Sequence, residues 1–292
     1  MDDIRQTAID RFRAYLERRQ FSAHTVANYT LDLRLFFAEG AVPLAQLSYR
    51  EVDQFVEQQH QQGHAWATIN RRLHALKHFF AFCLEQQWVR GNPVKPSHFV
   101  RRGHPLPKAL SREQVQRLFA QIVHPMDRAL FLVILRCGLR VSEVANLKLE
   151  QIDWEQQALQ VVQGKGRKDR RVYMSPDAVA SVQQCLEQHP GERAQGYVFW
   201  NRKRVQQPLS VKAIQKKMER YAKAAGLTAS CHSLRHTFAS NLLEHGAEVV
   251  AIRDFLGHSQ IASSERYAKL SSQRIKQEYM RTMQKILKQG QV

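Results

Sequence analysis

Residues 138–143 read Gly-Leu-Arg-Val-Ser-Glu and stand where one helical pattern stops and the next begins. The apolar run before them, 131–135, has helical character, and a glycine just past such a run is typical of a helix C-terminus. Arg140 therefore opens a new helix, and both a helix N-terminus and a guanidinium fork favour phosphate oxygens. Glu143 follows one turn later, so it forms a structural ion pair with Arg140, or orients that guanidinium toward a ligand, or both.

The chain around this stretch predicts a mainly α domain with a small antiparallel β-sheet, an α+β unit spanning 109–292. Strand patterns at 158–162 and 171–174 flank the sequence Gly-Lys-Gly-Arg-Lys-Asp at 164–169, which is typical of a hairpin turn. A further short strand is predicted at 197–200.

Residues 1–95 predict an all-α domain, because their apolar residues recur at helical spacing and no strand pattern appears. Ser22 and Ser48 are the expected N-caps of its second and third helices. Prolines crowd the following stretch and predict a semi-rigid interdomain linker at 96–108. This linker carries the pair Arg101-Arg102, which either helps the protein to wrap a duplex or is incidental surface charge.

The charge of the chain limits its partners. The 292 residues include 44 Lys and Arg against 26 Asp and Glu, a net charge of +18 that attracts nucleic acid or an anionic membrane. The most apolar run is far shorter than a spanning helix needs, and the acidic start lacks the order of a signal peptide, so no membrane association is expected. Four scattered cysteines without a Cys-x-x-Cys pair argue against disulfides and thiolate metal sites and suit a reducing cytoplasm.

No cofactor is expected from the motifs. Lys165 lies between two glycines, but the remainder of a nucleotide-binding P-loop is missing. His232 and His236 have the spacing of zinc ligands, yet Ser233 stands where a zinc protease carries glutamate. No carboxylate spacing typical of a two-metal nuclease is evident. The sequence therefore predicts neither a nucleotide nor a metal.

Several cationic side chains remain as candidates. His232 and Arg235 share one helical face, from which both reach a single phosphate. Lys165 lies in the hairpin turn, and His258 follows a Leu-Gly pair in a loop. Each has an ordinary interpretation when taken alone: a surface pair, a solvated turn lysine and a loop histidine.

Taken together, these motifs resemble the tyrosine recombinase (phage integrase) family over nearly the whole chain. In order they are G-L-R-V-S-E, a lysine in a glycine-flanked hairpin, H-S-L-R-H, L-G-H, and Tyr267 nine residues after His258. The resemblance implies DNA cleavage and rejoining through a 3′-phosphotyrosyl bond, with Glu143 behind Arg140. The implied catalytic residues are Arg140, Lys165, His232, Arg235, His258 and the nucleophile Tyr267. Tyr279 does not fit the spacing and is interpreted as a packing residue.

The first domain extends the resemblance. Its patterns at 22–36 and 68–80 look like the core-binding domain of the family. The resemblance implies double-stranded DNA as partner and a tetramer on two duplexes, either homomeric or formed with a related recombinase. The residues expected to face DNA are Asn70, Arg71, Arg72 and Lys77, with Arg101 and Arg102 of the linker. Ser264 stands where the family usually has threonine, which keeps the hydroxyl.

Within the family, the compact length is similar to that of Xer-type enzymes, which resolve chromosome and plasmid dimers, and implies a bacterial cytoplasmic protein associated with the nucleoid. No arm-binding domain is expected. A simple integrase or transposon recombinase of this size remains an alternative. So do a type IB topoisomerase and a non-catalytic DNA-binding descendant, although the complete catalytic set argues against the last. The DNA site, the need for a second recombinase or accessory protein, and the order of strand exchange stay open.

Overall fold

The protein's structure is a computed structural model that describes residues 3–38, 42–100, 109–162, 169–189, 196–257 and 272–288. By its packing the chain divides into two compact units, Met1–Pro105 and Leu106–Val292. The described part of the first unit is helical, and that of the second is mainly helical with small antiparallel sheets. The predicted fold class is confirmed. No helix in these described ranges is both long and apolar enough to span a bilayer.

The first unit is built on four α-helices in its described residues: α1 (Asp3–Arg18), α2 (Ala23–Ala38), α3 (Tyr49–Gln61) and α4 (Trp66–Glu85). The predicted caps are present. The Ser22 hydroxyl accepts from the main-chain N–H of Thr25 at 3.1 Å, and the Ser48 hydroxyl accepts from that of Arg50 at 3.2 Å. Each serine satisfies an amide that the first helical turn leaves without a partner.

Aromatic rings fill the core of the first unit. Phe12 of α1 and Phe37 of α2 both meet Phe79 of α4 edge to face, with centroids 5.4 and 5.6 Å apart. Large buried rings supply much of the apolar area that holds small helical units together. They fix α4 in the centre of the unit, so its polar side chains are presented from a rigid helix.

Residues 96–100, which the sequence assigns to the linker, pack on the first unit. They contain a 3₁₀ turn, Pro96–His98, whose buried His98 ring lies 3.0 Å from the Asp53 carboxylate. The amide of Asn70 donates to the carbonyl of Val100 at 2.9 Å and accepts from its N–H at 3.2 Å. The rest of the predicted linker, with Arg101 and Arg102, lies outside the described residues.

The second unit contains the remaining helices and all the strands of the described residues. Its helices are α5 (Arg112–Ala120), α6 (Pro125–Cys137), α7 (Val141–Ala145), α8 (Pro176–Glu187), α9 (Val211–Ala224), α10 (Cys231–Glu244), α11 (Val249–Leu256) and α12 (Ser272–Lys288). Its strands are β1 (Ile152–Asp153), β2 (Ala158–Val161), β3 (Arg170–Tyr173), β4 (Trp200–Asn201) and β5 (Arg204–Pro208). Helix α6 is buried on every side, as its continuous apolar run indicates.

The predicted hairpin is present, since β2 pairs antiparallel with β3 and Val161 lies opposite Arg170. Strand β1 adds an edge to this sheet, order β1-β2-β3, which the sequence analysis missed. The strand predicted at 197–200 is displaced. Tyr197 forms only an isolated bridge with Lys148, and regular pairing begins at Trp200, where β4 meets β5.

Helix α12 packs on its own unit through an apolar face. Tyr279 and Met283 are buried, and the Tyr279 hydroxyl donates to the main-chain carbonyl of Arg136 at 3.0 Å. Burial also raises the pKa of Tyr279 well above its ordinary value, so this phenol stays protonated. The interpretation of Tyr279 as a packing residue is confirmed.

Candidate active site

Gly138 separates α6 from α7 and thereby sets the direction of Arg140. Its φ of +65° lies in the left-handed region, and a Cβ at this position would clash with the ring of Phe238. The chain turns there and begins α7 with Arg140 at the N-cap position. The structure thus has the helix break that the sequence predicts, and glycine is required twice over, for conformation and for space.

Arg140 and Glu143 form the predicted pair. The main-chain N–H of Arg140 donates to Oε2 of Glu143 at 2.7 Å, and Nη1 of Arg140 donates to Oε1 at 2.8 Å. Nη2 of Arg140 donates to the carbonyl of Gly257 at 2.9 Å. These contacts use two of the five side-chain donors of Arg140, whose side chain is 28% exposed, so donors remain for a ligand.

Helix α10 carries His232 and Arg235. It begins with a capping box in which the hydroxyl of Ser230 accepts from the main-chain N–H of Ser233 at 3.2 Å. His232 is exposed in the first turn, and Arg235 is buried one turn later. The guanidinium of Arg235 donates from Nη1 to the carbonyl of Gly138 and from Nη2 to the carbonyl of Leu256 at 2.5 Å.

The carboxyl end of α11 is where three arginines meet. The consecutive carbonyls of residues 255–257 accept hydrogen bonds from Arg170, Arg235 and Arg140 in that order. A helix C-terminus leaves such carbonyls without partners and carries a partial negative charge, so guanidinium groups are suited to it. We call these three residues with Glu143 the arginine cluster.

Arg170 is the member of the cluster that the sequence analysis missed. Its side chain is 9% exposed and its fork pairs with Glu143, Nη1 to Oε1 at 2.9 Å and Nη2 to Oε2 at 2.8 Å. The available signal was strand alternation, because Arg170 and the buried Val172 are two residues apart in β3 and share one face of the sheet. A cation on the buried face of a strand requires a partner.

The charge of the cluster favours an anion, since its described residues bring together three guanidinium groups and one carboxylate. Burial would raise the pKa of Glu143, but hydrogen bonds from Arg170 and Arg140 and the charge of Arg170 outweigh it and hold that pKa below its ordinary value. Burial and the neighbouring Arg140 and Arg170 lower the pKa of Arg235 to about 10, although Glu143 opposes them. Arg235 thus stays charged at neutral pH.

His232 is suited to accept a proton. Although the residue as a whole is exposed, partial burial of its ring and the nearby His236 and Arg235 lower the pKa of His232 below the ordinary 6.5, so the ring is neutral at neutral pH. The rings of His232 and His236 meet edge to face with centroids 4.2 Å apart. Within the described residues no group of three or more His, Cys, Asp or Glu side chains is placed to hold a metal ion.

Three predicted catalytic residues, Lys165, His258 and Tyr267, lie outside the described residues. Lys165 and Tyr267 are surrounded by further residues outside the described ranges, whereas the residue before His258 is described. Gly257, which precedes His258, is bonded to Arg140, and Arg170 begins the strand that follows the hairpin turn of Lys165. The described structure therefore brings together Arg140, Arg235 and Glu143, with His232 on the same helix as Arg235.

The residues of α4 that were predicted to face DNA differ in position. Lys77 is exposed, and Arg71 is partly exposed while its guanidinium pairs with both oxygens of Asp32. Asn70 is half-buried and holds Val100, as described above. Arg72 is buried, so a direct DNA contact is not supported for it. The reason is helical spacing: position 72 falls on the core face with Ile69 and Leu76.

Comparison with known proteins gives the same assignment for both units. Residues 108–274 match the model of the phage integrase family, and residues 9–87 match the N-terminal SAM-like domain of phage integrases. The tyrosine recombinase XerA of Pyrococcus furiosus is 31% identical over 278 residues, covering 94% of this chain and 93% of the relative. The tyrosine recombinase XerC of Halalkalibacterium halodurans is 31% identical over 291 residues, covering 93% and 95%.

Two solved structures share the fold. The Tn1549 transposon integrase, in complex with circular intermediate DNA, superposes with a TM-score of 0.72 at 18% identity, covering 93% of this chain and 98% of that one. A lambda integrase dimer bound to a core site gives a TM-score of 0.70 at 19% identity, covering 87% and 95%. At these identities the likeness is one of fold.

Proposed function

The chain belongs to the phage integrase family of tyrosine recombinases, and we propose that it is a Xer-type site-specific recombinase whose nucleophile is Tyr267. The observation that supports this most directly is the arginine cluster. Its excess of positive charge lies at the end of α11, immediately before His258 in the sequence and ten residues before Tyr267.

In the proposed reaction two arginines of the cluster bind the scissile phosphate. Arg140 and Arg235 donate to its non-bridging oxygens and stabilise the charge that develops in the pentavalent transition state. Because their carbonyl partners are main-chain atoms of one helix end, both guanidinium groups are oriented before DNA arrives. Prior orientation of donors is the largest contribution to such catalysis, and loss of one donor typically costs about 10²–10³ in rate.

The remaining residues supply the nucleophile, two proton transfers and a further contact to the phosphate. The Tyr267 phenol attacks phosphorus, forms a 3′-phosphotyrosyl bond and releases a 5′-hydroxyl, with neutral His232 assisting removal of the phenolic proton. Lys165 protonates the leaving 5′-oxygen, and His258 donates to a phosphate oxygen. The phosphotyrosine conserves the energy of the broken phosphodiester, so the reverse attack by a 5′-hydroxyl reseals a strand without consuming a nucleotide.

The proposed partner is double-stranded DNA, bound by the core-binding domain and the catalytic unit of a tetramer on two duplexes. The Xer relatives favour resolution of chromosome or plasmid dimers in a bacterial cytoplasm, at the nucleoid. The tetramer contains either this chain alone or this chain with a related recombinase. Integration or excision of a mobile element uses the same chemistry and is the alternative role.

The test is formation of a covalent adduct. A duplex is selected from a randomised pool by binding to the protein, and nicked versions of it are incubated with the enzyme so that cleavage traps the intermediate. We expect a denaturant-resistant protein–DNA band that disappears in Tyr267→Phe and persists in Tyr279→Phe, the matched control. An adduct that survives Tyr267→Phe contradicts the proposal.

A plasmid assay separates the recombinase from a topoisomerase. A supercoiled plasmid that carries two copies of the selected duplex should give resolved circles, and one that carries none should stay supercoiled. Relaxation of both plasmids without resolution favours the type IB topoisomerase, and binding without an adduct favours the non-catalytic descendant.

A further inference from the structure

We propose that Arg170 is a positioning residue for strand cleavage: it joins Glu143 to the end of α11 and thereby fixes Arg140 and the chain that leads into His258. This inference rests on the proposed function, because the reaction that it serves is cleavage by Tyr267. The residue lies at the start of β3, and neither the motifs nor the charge pattern of the sequence distinguishes it.

The contacts of Arg170 define its role. Its fork donates to both oxygens of Glu143, and its Nε donates to the carbonyl of Phe255 at 2.8 Å. Three of its five donors are thus occupied by protein atoms, and its side chain is 9% exposed. All three guanidinium nitrogens of Arg170 donate to protein atoms, so in this proposal Arg170 acts through Glu143 and the end of α11 and does not touch the phosphate.

Glu143 is the first of these neighbours. Its carboxylate accepts four hydrogen bonds, two from the Arg170 fork and two from the N–H and Nη1 of Arg140. Four acceptor positions are about what a carboxylate offers, so the group is saturated and held in one orientation. Removal of Arg170 leaves Glu143 partly buried with half of its partners, free to rotate together with the Arg140 side chain.

The end of α11 is the second neighbour. The carbonyl held by Arg170 is adjacent to the one held by Arg235 and two residues from the one held by Arg140. One segment of three residues therefore carries contacts from both proposed phosphate ligands and from Arg170. A displacement of about 1 Å in such a site costs roughly 10²-fold in rate, which sets the size of the expected effect.

A purely structural role is the competing explanation, and a second buried ion pair in the same unit provides the control. Nε of Arg136 lies 2.9 Å from Oδ2 of Asp177, and the Arg136 side chain is 3% exposed. In the part of the chain that the structure describes, neither side chain of this pair bonds to Glu143 or to residues 255–257. The main-chain carbonyl of Arg136 accepts from Tyr279, whose ring packs on Phe255, and that contact does not depend on the Arg136 side chain. If Arg170 contributes only stability, Arg170→Met and Arg136→Met should reduce cleavage to the same extent for the same loss in melting temperature.

The experiment measures single-turnover cleavage of the selected nicked duplex and, separately, the Kd for the intact duplex. We expect Arg170→Met to cleave about 10²-fold more slowly, with the Kd changed less than threefold. Arg136→Met should cleave within about threefold of the wild type. Arg170→Lys, which keeps the charge but not the fork, should regain thermal stability and remain slow. It also serves as the test if Arg170→Met does not fold.

A double substitution tests the path through Glu143. If Arg170 acts through this carboxylate, the combination of Arg170→Met with Glu143→Gln should be no slower than the slower single variant. If the losses in cleavage rate of the two single variants multiply in the double variant, the proposal is contradicted. It is also contradicted if Arg170→Lys cleaves at the wild-type rate, or if Arg170→Met weakens DNA binding without slowing cleavage. Absence of an adduct with the wild-type enzyme contradicts the proposed function instead, so the two failures are distinguishable.

Discussion

The ring of Phe238 on α10 lies against the Cα of Gly138 so closely that no side chain fits between them. Because Gly138 also ends α6 and accepts from Arg235 through its carbonyl, this contact fixes the spacing between the helix that carries Arg235 and the turn that carries Arg140. A residue with no functional group thus sets the geometry of the two proposed phosphate ligands.

Gly138→Ala should therefore destabilise the catalytic unit strongly. The new Cβ meets a positive φ, which costs about 1 kcal/mol, and the overlap with Phe238 adds roughly 1–3 kcal/mol. Gly226→Ala is the matched control, because Gly226 has a φ of +67° but no atom within 4 Å of an added Cβ. The free energy of unfolding, measured in urea, should fall clearly more in Gly138→Ala than in Gly226→Ala. Equal decreases in the two variants contradict the steric argument.

The stability of the catalytic unit should depend on the ionisation of Glu143. Its pKa in the folded protein lies below the ordinary 4.5, so the ionised form contributes stability that is present above pH 4.5 and is lost as the pH falls through the lower folded pKa. Melting curves between pH 6 and about pH 3 should show this loss. The loss should be smaller in Glu143→Gln and unchanged in Glu150→Gln, a control at an exposed carboxylate that pairs with Lys148.

The fall of the cleavage rate at acid pH should reflect protonation of His232. In the proposed reaction neutral His232 accepts the phenolic proton. Because its pKa lies below 6.5, the midpoint of the acid limb of the rate profile should lie below pH 6.5. His232→Gln should lower the rate by about 10²-fold or more and flatten the acid limb. His236→Gln removes a neighbour that lowers the pKa of His232, so its acid limb should move to higher pH. An unchanged limb in His232→Gln assigns the limb to another group.

DNA binding by the first unit should lose one phosphate contact in Lys77→Ala. Log K falls as log salt rises, and each cation that neutralises a phosphate makes this slope steeper by about 0.9. The slope of Lys77→Ala should therefore be shallower by about one, and its affinity should drop for every DNA sequence. Arg13→Ala is the control, because Arg13 is exposed on α1 and paired with Glu17. Equal changes in both variants indicate a general effect of charge rather than a contact by Lys77.

Sequence by itself determined the family, the helix break at Gly138, the hairpin and the caps at Ser22 and Ser48. Each of these depends on residues close together in the chain: a glycine after an apolar run, a serine before one, or two strand patterns around a turn. Helical spacing from Ile69 puts Arg72 on the core face of α4, where the structure has it. The prediction that Arg72 faces DNA considered its charge and not this spacing.

The tertiary structure alone decided how the arginines are used. Arg170 and Glu143 are 27 residues apart and Arg140 and Gly257 are 117 apart, so no local pattern relates them. Nor does charge indicate which of 44 basic residues is buried. That choice is made at the end of α11, where the carbonyls of residues 255–257 accept from arginines of β3, of α10 and of the N-cap of α7, because buried polar groups require hydrogen-bond partners.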